Sequence, residues 1–134
     1  MLSGERYLQM AKKVYSFLNY EFGLNIITER INGNAFYHLE YGNDKRVISI
    51  SYENIEDYLQ VIIFILDDGK RPNYDDKLHT LHLNTLNKAV FVSISKDQLT
   101  LNEEHFADLE TENMLERRLL KEAKALRLYL LNES

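Results

Sequence analysis

Residues 46–66 read RVISISYENIEDYLQVIIFIL, from Arg46 to Leu66. In the first part Ile48, Ile50 and Tyr52 alternate with Ser49 and Ser51. Side chains of a strand point to opposite faces in turn, so this pattern gives one apolar and one polar face, as in an antiparallel sheet packed on one side. From Tyr58 to Leu66 both faces are apolar, which marks the most central strand. The polar link Glu53-Asn54-Ile55-Glu56-Asp57 is of hairpin length, so the two strands are antiparallel neighbours.

The same reading extends outward in both directions. Upstream, Tyr37, Leu39 and Tyr41 alternate with His38 and Glu40 over 35–41, and Gly42-Asn43-Asp44 forms the turn into the strand 46–52. Leu24 to Ile31 is rich in β-branched residues, and Asn32-Gly33 supplies the positive-φ pair of a tight hairpin. Downstream, Asp67-Asp68-Gly69-Lys70 ends the central strand sharply, and Pro72 keeps the chain in a loop through Lys77. Leu78 to Leu83 alternates as a fifth strand, and 84–88 reads as a short helix or turn. Residues 89–95 and 99–101 have strand character around a turn at Lys96-Asp97-Gln98, with a helix start at Asn102-Glu103-Glu104.

Helices flank the strands. Tyr7, Ala11, Val14 and Leu18 share a helical face over 4–21, with Ser3 as N-cap, Glu5 in the first turn and Gly23 at the C-terminal stop. Leu115, Leu119, Ala123, Leu126 and Leu130 form the stripe of a C-terminal helix. Its acids come first and its bases later, as the helix dipole prefers. The fold class that follows is α+β: one domain over 1–134, an antiparallel sheet of about 4–6 strands packed in two layers against an N-terminal and a C-terminal helix. The other sheet face, carrying Asn25 or Glu29, His38, Glu40, Ser49 and Ser51, is then expected to be exposed or covered by a partner.

Composition narrows the chemistry. The 134 residues include no Cys, which excludes a disulfide scaffold, a thiolate metal site and a cysteine nucleophile. The longest apolar run, Val61 to Leu66, falls far short of the ~20 residues that span a bilayer. The sequence turns polar at once after Met1-Leu2, so no signal peptide, no membrane association and a cytoplasmic location are expected. The net charge is −5, but it is unevenly spread: +1 over 1–52, −9 over 53–116 and +3 over 117–134. A field of that sign repels phosphate backbones, so nucleic acid is not an expected partner. It attracts a cation or a basic protein.

The functional signals are few. His79 and His82 with Asp67, Asp68, Asp75 and Asp76 are the one metal-like cluster. In a strand, however, the two histidines would point to opposite faces, and the acids miss the calcium-loop spacing, so neither metal nor cofactor is expected. Catalysis lacks a glycine-rich phosphate loop, a nucleophile elbow and a carboxylate lone inside an apolar strand. The chain is therefore read as non-enzymatic. Nine Tyr and no Trp is an unusual aromatic choice, and Tyr41, Tyr52, Tyr58 and Tyr74 lie close to acids. Tyrosine either rims a core or anchors an interface, where it is enriched among energetic hot spots.

The layout of the strand pair Val47–Glu53 and Tyr58–Phe64, followed by the acidic loop at 67–76 in a compact acidic α+β chain, resembles small bacterial immunity proteins that neutralise a cognate toxin domain. The resemblance implies an inhibitor that masks a basic toxin. The expectation is a partner-binding surface of Glu53, Asp57, Asp67, Asp68, Tyr74, Asp75 and Asp76, drawn from an acidic patch over 53–76 and 97–112, on a monomer or weak homodimer. Two alternatives stand beside it: a module that self-associates through its sheet, and a metal-dependent enzyme around His79 and His82.

Overall fold

A computed structural model describes residues 3–86 and 93–133. The chain runs α1 (Gly4–Val14), α2 (Phe17–Tyr20), β1 (Asn25–Asn32), β2 (Phe36–Gly42), β3 (Arg46–Glu53), β4 (Tyr58–Ile65), β5 (Thr80–His82), α3 (Lys96–His105) and α4 (Met114–Asn132). The five strands form one antiparallel sheet in chain order, β1-β2-β3-β4-β5. The expected α+β architecture, with an N-terminal and a C-terminal helix against the sheet, is present.

The expected helix over 4–21 is two pieces. Tyr15 and Phe17 are both fully buried, yet residues two apart face different sides of a continuous helix. The chain breaks at Tyr15-Ser16, where the Ser16 hydroxyl donates to the Lys13 carbonyl. Gly23, at φ 71°, then closes α2: its own N–H and that of Leu24 bond back to Asn19 and Leu18. The expected strand at 99–101 is instead helix α3. Ser95 and Gln98 form a reciprocal capping box, and this local signal outweighs the β propensity of Leu99-Thr100-Leu101. The expected strand at 89–95 falls largely outside the described residues.

The core lies between the helices and one sheet face. Tyr37, Leu39, Ile48, Ile50, Leu59, Val61 and Ile63 meet Tyr7, Ala11, Val14, Leu119, Ala123 and Leu126 there. Tyrosine serves this core directly. Tyr7, Tyr37 and Tyr52 pack ring against ring with centroids 5.3–6.4 Å apart. The Tyr7 hydroxyl donates to the Ile50 carbonyl at 3.0 Å, and that of Tyr15 to Leu119 at 3.2 Å. Each ring buries apolar area while its polar tip is satisfied. Tyr41 and Tyr52 are also core residues, whereas Tyr20, Tyr58 and Tyr74 stay exposed.

Candidate functional site: the outer face of the sheet

Register sets the composition of the face turned away from the helices. Cross-strand rows run Asn32–Phe36–Glu53–Tyr58, then Arg30–His38–Ser51–Gln60, then Thr28–Glu40–Ser49–Ile62–His82, and finally Gly42–Val47–Phe64–Thr80. Sequence alternation assigned His38, Glu40, Ser49 and Ser51 to this face correctly, whereas Glu29 pairs with Leu39 on the helix side. By sequence the face is expected to be exposed or covered by a partner. The segment 66–79 instead crosses it as a strap, and the face divides into a sealed half and an open half.

The sealed half is the last two rows, where Glu40, Gly42, Val47, Ser49, Ile62 and Thr80 are buried. The strap begins with a tight turn in which Asp67 and Lys70 exchange both backbone hydrogen bonds at 2.9 Å. Asp68 and Gly69 occupy its two positive-φ positions, 51° and 78°, the conformation Asp-Gly favours in two-residue turns. Arg71 then reaches down over the Phe64 ring and forks onto Glu40, with Nη1 and Nη2 at 2.8 and 2.7 Å from its two oxygens. Farther along, the Thr80 hydroxyl donates to the Asn73 carbonyl at 2.7 Å.

Glu40 is thus a carboxylate buried inside a strand, contrary to the sequence expectation. Burial alone would raise its pKa. Hydrogen bonds from His38, Arg71 and Thr28 outweigh burial and hold it well below the ordinary carboxylate range. It is a fixed anion, not an acid poised near neutrality. His38 Nε2 lies 2.8 Å from Ser49 Oγ and 3.3 Å from Glu40. A Ser-His-acid relay needs the serine and the acid on different ring nitrogens, and here one nitrogen meets both. The arrangement tethers the strap and does not activate Ser49.

The open half is the first two rows plus the side of the strap that overlooks them. Gln60 organises it. Its amide nitrogen lies 2.9 Å from the Tyr74 hydroxyl, 3.3 Å from that of Tyr58 and 3.3 Å from His82 Nδ1. The Tyr74 ring also stands edge-on to His82 at 5.3 Å. Two tyrosines that are 47% and 61% exposed are therefore held in place from beneath before anything binds them. Glu53 pairs with Tyr58 across the strands. Its carboxylate caps the turn, accepting from the backbone of Ile55 and Glu56 at 3.0 and 2.9 Å.

The seven expected partner-binding residues do not form one patch. Glu53 and Tyr74 border the open half, with Asp75 next to Tyr74 in the chain. Asp76 is occupied in its own loop, accepting from the backbone of Leu78 and His79 and from the His79 ring. Asp67 and Asp68 sit in the turn past the far end of β4, whose eight residues span about 23 Å, and Asp57 precedes its start. Asp57 faces the helix side, where it accepts from Arg118 at 2.8 Å and from the Tyr52 hydroxyl. The acids of 97–112 lie on and beside α3, which packs on α4 and touches α2 through Phe106 and Phe17. In place of one acidic patch drawn from 53–76 and 97–112, the acids form separate groups on both sides of the sheet. Backbone turns and arginine partners claim much of the charge that the sequence shows as an unbroken excess.

His79 lies outside β5 and bonds Asp76, whereas His82 lies under Tyr74. The two do not converge, and among the described residues no three His, Asp or Glu side chains could hold a metal ion. No helix among the described residues is long and apolar enough to cross a membrane. Sequence reasoning missed Gln60 and Arg71. The register of β4 predicts the first: Gln60 is the one amide in an apolar strand. Nothing local marks the second.

Comparison with known proteins finds no matching family model, no matching curated protein and no matching solved structure.

Proposed function

We propose that this chain acts by binding a basic protein through the open half of its outer sheet face, as an immunity-type inhibitor does. The observation that carries this reading is the Tyr58–Gln60–Tyr74 array: two exposed rings prefixed by a shared amide and bordered by Glu53 and Asp75. Rigid tyrosines lose little side-chain entropy on docking, and preorganisation lowers the cost of association. The carboxylates around them steer a cationic partner and speed encounter. Inhibition would follow from occlusion, without chemistry.

The test is genetic. If a reading frame beside this gene encodes a protein toxic when expressed alone, co-expression of this chain rescues growth, and the double variant Tyr58→Ala/Tyr74→Ala does not. Full rescue by a folded double variant refutes the assignment of the site. A second reading, self-association, rests on β1. This eight-residue edge strand leaves Ile26, Ile27 and Ile31 between 41% and 50% exposed, and exposed apolar edges invite pairing. Sedimentation at two concentrations distinguishes the readings, because a dedicated inhibitor stays monomeric.

A further inference from the structure

A cavity lies on the other side of the molecule, away from the docking face. It has a volume of about 580 Å³ and is lined by Ser3, Arg6, Tyr52, Asn54, Asp57, Asn113, Met114, Leu115 and Arg118. Its size falls within the range of small-molecule sites. Nothing in the proposed docking face uses it.

Its polar wall is rich in donors that the fold leaves partly free. Arg118 gives Nη1 and Nη2 to the carboxylate and carbonyl of Asp57 and lies over the Tyr52 ring. Arg6 sends Nε to Glu116 at 2.8 Å and Nη2 to Glu116 and Glu112 at 3.4 and 3.6 Å, and Nη1 makes no hydrogen bond among the described residues. The Asn113 side-chain oxygen caps α4 by accepting from the backbone of Glu116, and its amide nitrogen makes no hydrogen bond among the described residues. Three carboxylates compete for these cations: Asp57 on Arg118, and Glu116 and the exposed Glu112, at 2.8 and 3.6 Å, on Arg6. Glu116 is fully buried beneath Arg6 and does not face solvent. The apolar wall comprises Met114 and Leu115, with the Tyr52 ring under Arg118 at 5.9 Å.

We infer that this cavity binds a small organic anion, its carboxylate or phosphate between Arg6 and Arg118 and its apolar body against Tyr52, Met114 and Leu115. A guanidinium recognises such oxygens by charge-assisted, directional hydrogen bonds. Asp57 acts as the resident placeholder. It holds Arg118 in position in the empty site and yields part of its hold to the ligand. Removing the neighbouring negative charge should therefore tighten binding, while removing Arg118 should weaken it.

The experiment titrates phenyl phosphate and benzoate into the intact protein, with benzamide as the neutral analogue, and follows the Arg118 Nε–H and Asn113 side-chain amide signals by NMR. Both anions should shift these signals saturably, and benzamide should not. Arg118→Met should weaken binding by roughly tenfold or more, the loss expected for a hydrogen bond to a charged group. Asp57→Asn should strengthen it several-fold, and asparagine tolerates the φ of 52° found there. A retained circular dichroism spectrum shows that each variant is folded. Equal response to benzamide, no shift with either anion, or unchanged binding in Arg118→Met would each overturn the inference. So would weaker binding by Asp57→Asn.

Discussion

The Arg71–Glu40 fork should be energetically lopsided. Glu40 is 3% exposed at its side chain, whereas Arg71 is 46% exposed. Remove Arg71, and a buried carboxylate keeps only the hydrogen bonds of His38 and Thr28. Remove Glu40, and Arg71 swings into water at small cost. Breaking a fully buried pair by deleting one partner costs about 3–5 kcal/mol. Because Arg71 is half exposed and other donors remain on Glu40, Arg71→Met should cost about 2–3 kcal/mol. Glu40→Gln keeps shape and hydrogen-bonding capacity, and should cost about 1 kcal/mol. With an unfolding entropy of about 2.1 cal/mol/K per residue, the Arg71 variant should lose about 7–10 °C in Tm and the Glu40 variant about 3–4 °C. Urea unfolding followed by circular dichroism gives both values, and the double variant Glu40→Leu/Arg71→Met should recover much of the loss. Equal costs, or a greater cost for Glu40→Gln, would show that Glu40 is not sealed under the strap.

Other outcomes follow from the same contacts. Glu40 and Glu116 both have folded pKa values lowered from the ordinary carboxylate value: Glu40 because its hydrogen bonds outweigh burial, Glu116 first through its hydrogen bond from Arg6. Their stabilisation is present above the unfolded pKa near 4.3 and is lost as pH falls through the lower folded values. Urea midpoints should therefore drop on acidification, and Glu40→Gln should flatten that slope. Tyr52 is pushed up to about 12, first by burial and then by its bond to Asp57, and Tyr41 to about 12 by burial and the charge of Glu29. Stability from these groups is complete below pH 10 and fades as pH rises through their folded values, so absorbance titration should show them ionising only with alkaline unfolding. Tyr7→Phe removes the bond to Ile50 and should cost about 1 kcal/mol in the same urea assay. Gly69→Ala should cost a similar amount, since alanine resists the φ of 78° at that turn.

Local chemistry made much of the fold legible. Serine–isoleucine alternation marked which residues of β3 face the core. Asn32-Gly33 marked the β1–β2 turn, but only Gly33 takes a positive φ, 55°, and Asn32 instead pairs with Phe36 across a loop over 33–35. The two helix errors had local causes. Leu99 and Leu101 suggested a strand, although Ser95-Lys96-Asp97-Gln98 already spelled a capping box. Burial of both Tyr15 and Phe17 broke a helix that propensity alone would continue. The site was less legible because it depends on residues distant in the chain. Arg71 meets Glu40 across 31 positions, and Arg118 meets Asp57 across 61. No window of sequence distinguishes an acid claimed by such a partner from a free one. Tyr74 is expected as an anchor from its type and neighbours, but Gln60, which bonds its hydroxyl, appears only once β4 has its register.

Amide hydrogen exchange on the protein alone and in the presence of a basic protein that it neutralises in the co-expression test probes the proposed docking surface most directly. The account predicts new protection confined to β2 near Phe36, to residues 51–60 and to Tyr74–Asp75, with association slowing as salt shortens the charge field to ~8 Å at physiological ionic strength. Protection centred on α3 or on the helix layer, with residues 51–60 and Tyr74 unchanged, would contradict it.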